Sequence, residues 1–158
     1  MSFFDDGQPG GSRLNFSLEP VLGIHAFIAK RAAATSNLTL TNSEQDVPGA
    51  TITLDTPGVY VVMAVIDFDG NTGDGVGVSS LDVDGVIQGG QALVALPATD
   101  RATVPQHWIV VKTTLGPTVL KLLGRISGAT AGSSIIGATH TTILAFTVPG
   151  SQDLTALT

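Results

Sequence analysis

Asp67, Asp69, Asn71 and Asp74 place three carboxylates and an amide oxygen within eight residues, on the stretch Asp67-Phe-Asp-Gly-Asn-Thr-Gly-Asp74. Hard cations such as calcium are held by shells of such oxygens, so these four residues form a weak calcium candidate. The spacing departs from the helix–loop–helix calcium loop. Thr72 stands where its sharp turn needs glycine, and Val78 stands where a bidentate glutamate should close the shell. Asx-rich, glycine-containing stretches are also ordinary turn material. The expectation is therefore a solvated turn with no metal and no response to a chelator. Asp82 and Asp84, just before Gly85, read as turn residues for the same reason.

The other reactive side chains do not group. His25, His107 and His140 are far apart and have no local ligand spacing. Cysteine is absent, which excludes disulfides, thiolate metal sites and a cysteine nucleophile. No serine stands in a Gly-x-Ser-x-Gly elbow. Gly73–Gly77 and Gly85–Gly90 are glycine-rich but lack the lysine and the following helix of a phosphate-binding loop. The glutamates, Glu19 and Glu44, have loop-like surroundings rather than an apolar pocket that would raise a carboxyl pKa. The chain is expected to be no enzyme and to carry no cofactor.

What must position any site is a chain short of charge. Of 158 residues only 13% are charged, against roughly 25% in typical soluble domains. A chain this poor in charge hides more surface than one small monomer offers, which favours an assembly. The net charge is −6, and the basic residues Arg13, Lys30, Arg31, Arg101, Lys112, Lys121 and Arg125 are scattered. Nucleic acid is therefore not an expected partner. A membrane is not one either, since no apolar run reaches the roughly 18 residues of a spanning helix. Met1-Ser-Phe-Phe-Asp-Asp is acidic where a secretory signal needs positive charge, so synthesis in the cytoplasm is expected.

Three regions are expected. Residues 1–19 form an arm, in which Phe3, Phe4, Leu14 and Phe16 are isolated apolar anchors around the hinge-like Gly7-Gln-Pro-Gly-Gly11. Residues 20–149 read as short strands separated by turns, and 150–158 as a tail. The strongest strand signal is Val59–Phe68, opening after Thr56-Pro-Gly58. Alternate residues of a strand share a face, so Tyr60, Val62, Ala64, Ile66 and Phe68 oppose Val59, Val61, Met63 and Val65. Both faces are apolar, whereas a strand with one wet face would alternate. A second sheet should cover one face and a neighbouring subunit the other.

Further strands are expected at 20–30, 38–41, 50–54, 76–83, 92–96, 103–113, 118–126 and 141–148, with Asp84-Gly85 as a tight hairpin turn. Helix competes only at His25–Ala34, where one turn is allowed. Eight to ten short strands with regular turns describe an all-β antiparallel sandwich or jelly roll.

Residues from about Ala50 to Val148 resemble the jelly roll of the tumour necrosis factor and complement globular-head superfamily, with its bacterial and bacteriophage relatives. Pro57-Gly-Val-Tyr60 is similar to the turn opening the long central strand of those domains. Leu81-Asp-Val-Asp-Gly85 is similar to their strand ending in a hairpin glycine. Trp108-Ile-Val-Val111 with Gly116, and Thr141–Phe146, resemble their apolar and closing strands. The resemblance implies a homotrimer meeting around a three-fold axis, with Tyr60, Val62, Trp108 and Phe146 as candidate interface residues. A cysteine-free, acidic, Thr/Gly/Val-rich chain with an N-terminal arm also looks like a phage virion protein. The implied role is non-enzymatic: a trimeric capsid decoration or head-fibre protein in the virion, its arm on the major capsid protein or another virion protein. The alternatives are a tail or tail-tip protein binding a host receptor, and a lectin-like, calcium-assisted module.

Overall fold

A computed structural model of the chain describes residues 28–70, 74–89, 91–128 and 134–148. Two antiparallel sheets face each other across one apolar core, and no helix occurs among the described residues. The first sheet contains β1 (Ala29–Ala33), β2 (Leu38–Thr39), β4 (Gly58–Gly70), β8 (Arg101–Lys112), β10 (Ser134–Ile136) and β11 (Thr142–Thr147). The second contains β3 (Gln45–Leu54), β5 (Gly75–Val83), β6 (Val86–Ile87), β7 (Ala92–Leu96) and β9 (Thr118–Ser127). The main orders are β1-β11-β4-β8 and β3-β9-β5-β7. Sequence neighbours such as β3 and β4 lie in opposite sheets, as a jelly roll requires.

β4 is the spine. It pairs with β8 over its whole length, from Gly58 opposite Lys112 to Asp69 opposite Arg101, and with β11 and β10 on its other edge. Tyr60, Val62, Ala64, Ile66 and Phe68 point between the sheets and are buried. They meet Leu54, Leu81, Leu120, Leu122 and Ile126 from the second sheet, with Trp108 and Val110 of β8 beside them. One buried polar tie crosses this core. Ser79 Oγ donates to Gln106 Oε1 at 2.7 Å, and Gln106 Nε2 returns a bond to the Ser79 carbonyl. Buried polar groups are tolerated when paired in this way.

Local signals held where backbone chemistry was decisive. Asp84 and Gly85 both have positive φ, 52° and 85°, and turn β5 into β6 as the Asp-Gly pair requires. Asp84 Oδ1 also accepts the Val119 amide at 2.7 Å, tying the hairpin to β9.

Two expectations are corrected, and one strand is added. The helical turn allowed within 25–34 is excluded over its described part, because Ala29–Ala33 is strand β1, paired residue for residue with β11. Cross-strand bonds override the helical preference of Ala-Lys-Arg-Ala-Ala. β3 begins at Gln45 rather than Ala50, and its register shifts between Asp46 and Thr51. Gly49 takes φ +80° there, and a Cβ on it would meet the Ala33 carbonyl at 2.8 Å. The strand β10 was not anticipated; its three residues join only because Phe68–Gly70 and Leu38–Thr39 are brought beside them.

Candidate functional site

The outward face of the first sheet carries a group of exposed apolar side chains. The pairing registers line up its side chains in rows across four strands. One row is Ala29, Phe146, Val61 and Ile109; the next is Arg31, Leu144, Met63 and His107. The third is Ala33, Thr142, Val65 and Pro105, while Val59 and Val111 extend the face at its other end. Ile109 is 60% exposed, Val111 58% and Met63 48%. The two apolar faces of β4 thus go to different places: one fills the core, and the other lies on the outward side of the sheet.

The candidate interface residues separate accordingly. Tyr60 and Val62 are buried between the sheets at 1% and 0% exposure, which corrects their assignment to a subunit contact. The Tyr60 hydroxyl donates to the Thr56 carbonyl at 2.7 Å. Burial, and secondarily the nearby Asp55 carboxylate, raises its pKa above the usual phenol value. Trp108 is also a core residue, and its indole N–H donates to the Gly89 carbonyl at 3.1 Å. Phe146 lies on the outward face. Of the residues that share this face with it, Val61 and Met63 were read from the sequence as one apolar face of the long strand but not chosen as the contact, and Ile109 and Val111 were not placed on it. Their odd-numbered alternation along β4 and β8 was the signal that could have found them. Phe3, Phe4, Leu14 and Phe16 lie outside the described residues.

At the other end of the same face, the acidic stretch is taken apart. The side chain of Asp67 is fully buried and receives Arg101 Nε at Oδ1, 2.8 Å away, with a second contact from Arg101 Nη2 to Oδ2. This bond and the charge of Asp67 raise the Arg101 pKa further. Asp74 accepts the Ala98 amide at 3.0 Å, and Asn71 lies outside the described residues. No cluster of three or more metal-ligating side chains occurs among the described residues. A carboxylate already forked to a guanidinium is a poor calcium ligand, because binding would strip it of its counter-charge.

Asp67 instead anchors the turn between β10 and β11. Its backbone N–H donates to Thr141 Oγ1, its carbonyl accepts from Gly137 N–H at 2.7 Å, and Thr141 Oγ1 donates to the Gly137 carbonyl. The turn is thereby held over β4, with Thr139 and His140 at its exposed tip. Below it opens a depression of about 510 Å³ lined by Arg31, Val65, Thr103, Thr139, His140 and Thr142. A smaller hollow of about 210 Å³ shares Arg31, Val65 and Thr142 and continues toward Met63, Pro105 and Leu144.

Arg31 is unusual in this setting. Lys30, Arg101, Lys121 and Arg125 each pair with a carboxylate. The Lys112 ammonium, buried, donates to the Thr114 carbonyl and Thr118 Oγ1. Arg31 has no ion pair among the described residues and sits exposed beside the larger depression.

No family model matches the chain, and no curated protein matches it in sequence. Solved structures do match. A chain of the T13 IBDV viral particle has a TM-score of 0.59 at 10% identity, over 80% of this chain and 32% of that one. A chain of the infectious bursal disease virus Gx strain has a TM-score of 0.53 at 14% identity, over 80% of this chain and 33% of that one. The present chain therefore spans about a third of the length of these two. The Eiger TNF from S. frugiperda has a TM-score of 0.52 at 16% identity, over 80% of this chain and 96% of that one. At such identities the likeness is one of fold, and it shows the chain to be a jelly-roll β-sandwich of the kind shared by these viral-particle and TNF structures.

Proposed function

We propose that this chain is a non-enzymatic structural protein of a bacteriophage virion, a homotrimeric capsid decoration or head-fibre protein. The observation that carries the reading is the outward face of the first sheet. Val59, Val61, Met63, Ile109, Val111, Leu144 and Phe146 are contiguous there, and several are about half exposed or more. Contiguous apolar patches of this kind mark interaction surfaces. Burying such a face against copies of itself removes apolar area from water at roughly 25 cal/mol per Å². It also accounts for the low charge content. The likeness to two viral-particle chains supports a virion setting, and the TNF-like match fits the same compact sandwich. Residues 1–19 would dock on the major capsid protein or another virion protein, leaving the sandwich to stabilise the shell. Synthesis would be in the host cytoplasm.

Light scattering tests the core of the proposal. The expected mass is near three times 16.1 kDa, and Ile109→Asp should shift it to the monomer without loss of β signal by circular dichroism. A wild-type monomer at micromolar concentration overturns the trimer. Removal of residues 1–19 should then abolish binding to purified shells while leaving the mass of the sandwich core trimeric.

A further inference from the structure

We propose that the depression between Arg31 and the β10–β11 turn is a binding site for a carboxylate-bearing saccharide. It lies on the outward face about four to six residues of β4 away from Val59 and Val61, on the order of 13–20 Å at strand spacing. None of its lining residues is among the seven apolar residues of the proposed trimer contact, which leaves it at the rim. The inference goes beyond the structural role and does not rest on it.

The chemistry of the lining selects the ligand. Its volume, about 510 Å³, is within the range of small-molecule sites. Arg31 supplies a planar fork of N–H donors with no acid partner among the described residues, and such a fork matches a carboxylate bidentately. A phosphate dianion calls for more positive charge, and the neighbouring guanidinium of Arg101 is already committed to Asp67. Thr103, Thr139 and Thr142 add three hydroxyls that can donate or accept, together with the imidazole of His140. A ligand with several hydroxyls around one carboxylate would use them all. Val65 in both hollows, and Pro105 in the smaller one, offer the apolar surface that the C–H face of a sugar ring covers. The site is also preformed: Thr141 and Asp67 fix the turn that carries Thr139 and His140, which lowers the cost of ordering on binding.

The test is titration of the full chain with N-acetylneuraminate and glucuronate, followed by calorimetry and amide NMR. N-acetylglucosamine, glucose and inorganic phosphate serve as comparison probes. Saturable millimolar or tighter binding of an acid sugar is expected, with amide shifts grouped at Arg31, Thr103, Thr139, His140 and Thr142. Neutral sugars should not bind, and Arg31→Gln should weaken binding roughly 10- to 100-fold, as loss of a charged hydrogen-bond donor does. Thr103→Val provides a second variant in the same lining. Arg31 and Thr103 are both exposed, so both variants should keep the wild-type melting temperature. Absence of saturable binding by either acid sugar at tens of millimolar overturns the proposal, as does binding that Arg31→Gln leaves unchanged. Equal, competing binding of phosphate overturns the saccharide class. If no sugar binds but Arg31→Gln dissolves the oligomer, an acidic side chain of a second copy holds Arg31, and the proposal fails.

Discussion

Arg101 on β8 lies against Asp67 on β4 with Nε 2.8 Å from Oδ1, pairing an exposed guanidinium with a carboxylate whose side chain is wholly buried. The partners are not interchangeable. Asp67 is covered by the turn it anchors, so removing the cation leaves a buried charge without compensation. Lys121 and Asp46 form a contact of 2.7 Å, but both ends are exposed. Exposed pairs of that sort contribute little to stability.

The first prediction is a rank order. Arg101→Met should lower the urea midpoint clearly more than Lys121→Met. Adding Asp67→Asn to Arg101→Met should recover part of the loss, since the uncompensated charge is then gone. Equal midpoints for the two lysine and arginine variants would mean that Asp67 is not isolated from water.

Chelation should have no effect. With Asp67 forked to Arg101 and Asp74 accepting the Ala98 amide, the acidic stretch is used internally. Melting curves with EDTA and with added calcium should superimpose. A calcium-dependent rise of more than a few degrees would restore the metal reading, because a bound ion stabilises the folded state by mass action.

Alkaline stability should track Tyr60. Burial raises its pKa above the unfolded value of 10.0. The unfolded phenol therefore loses its proton first, and the stabilisation is present below pH 10 and lost as pH rises through the folded pKa. The unfolding free energy of the wild type should fall above pH 10. Tyr60→Phe should be flatter in that range while costing about 1 kcal/mol at neutral pH for the lost bond to Thr56. An identical alkaline slope in both proteins would assign it to other groups.

The tie between Ser79 and Gln106 should behave as a unit. Ser79→Ala leaves the Gln106 amide short of a partner in the core, and Gln106→Leu does the same to the serine hydroxyl. Each single change should cost about 1–3 kcal/mol. The double variant should cost less than the sum, and strict additivity in a double-mutant cycle would show that the two groups do not depend on each other.

The all-β class, most strand positions and the Asp84-Gly85 hairpin were legible in the chain, because alternation and positive-φ turn chemistry are properties of a few consecutive residues. The doubly apolar β4 was legible for the same reason. Which of its faces enters the core was not, since that depends on the side to which the second sheet packs; Tyr60 and Val62 went inward and Val61 and Met63 outward. The strand character of Ala29–Ala33 and the existence of β10 came from partners more than 60 residues away in sequence, Phe146 and Phe68 among them. The acidic stretch looked like a loop of potential ligands until folding buried one of its carboxylates under Arg101, 34 residues on. Local pattern determined what each segment could become. Non-local pairing alone decided the candidate surfaces, because charge partners, cavities and exposed faces exist only between segments that the tertiary fold brings together.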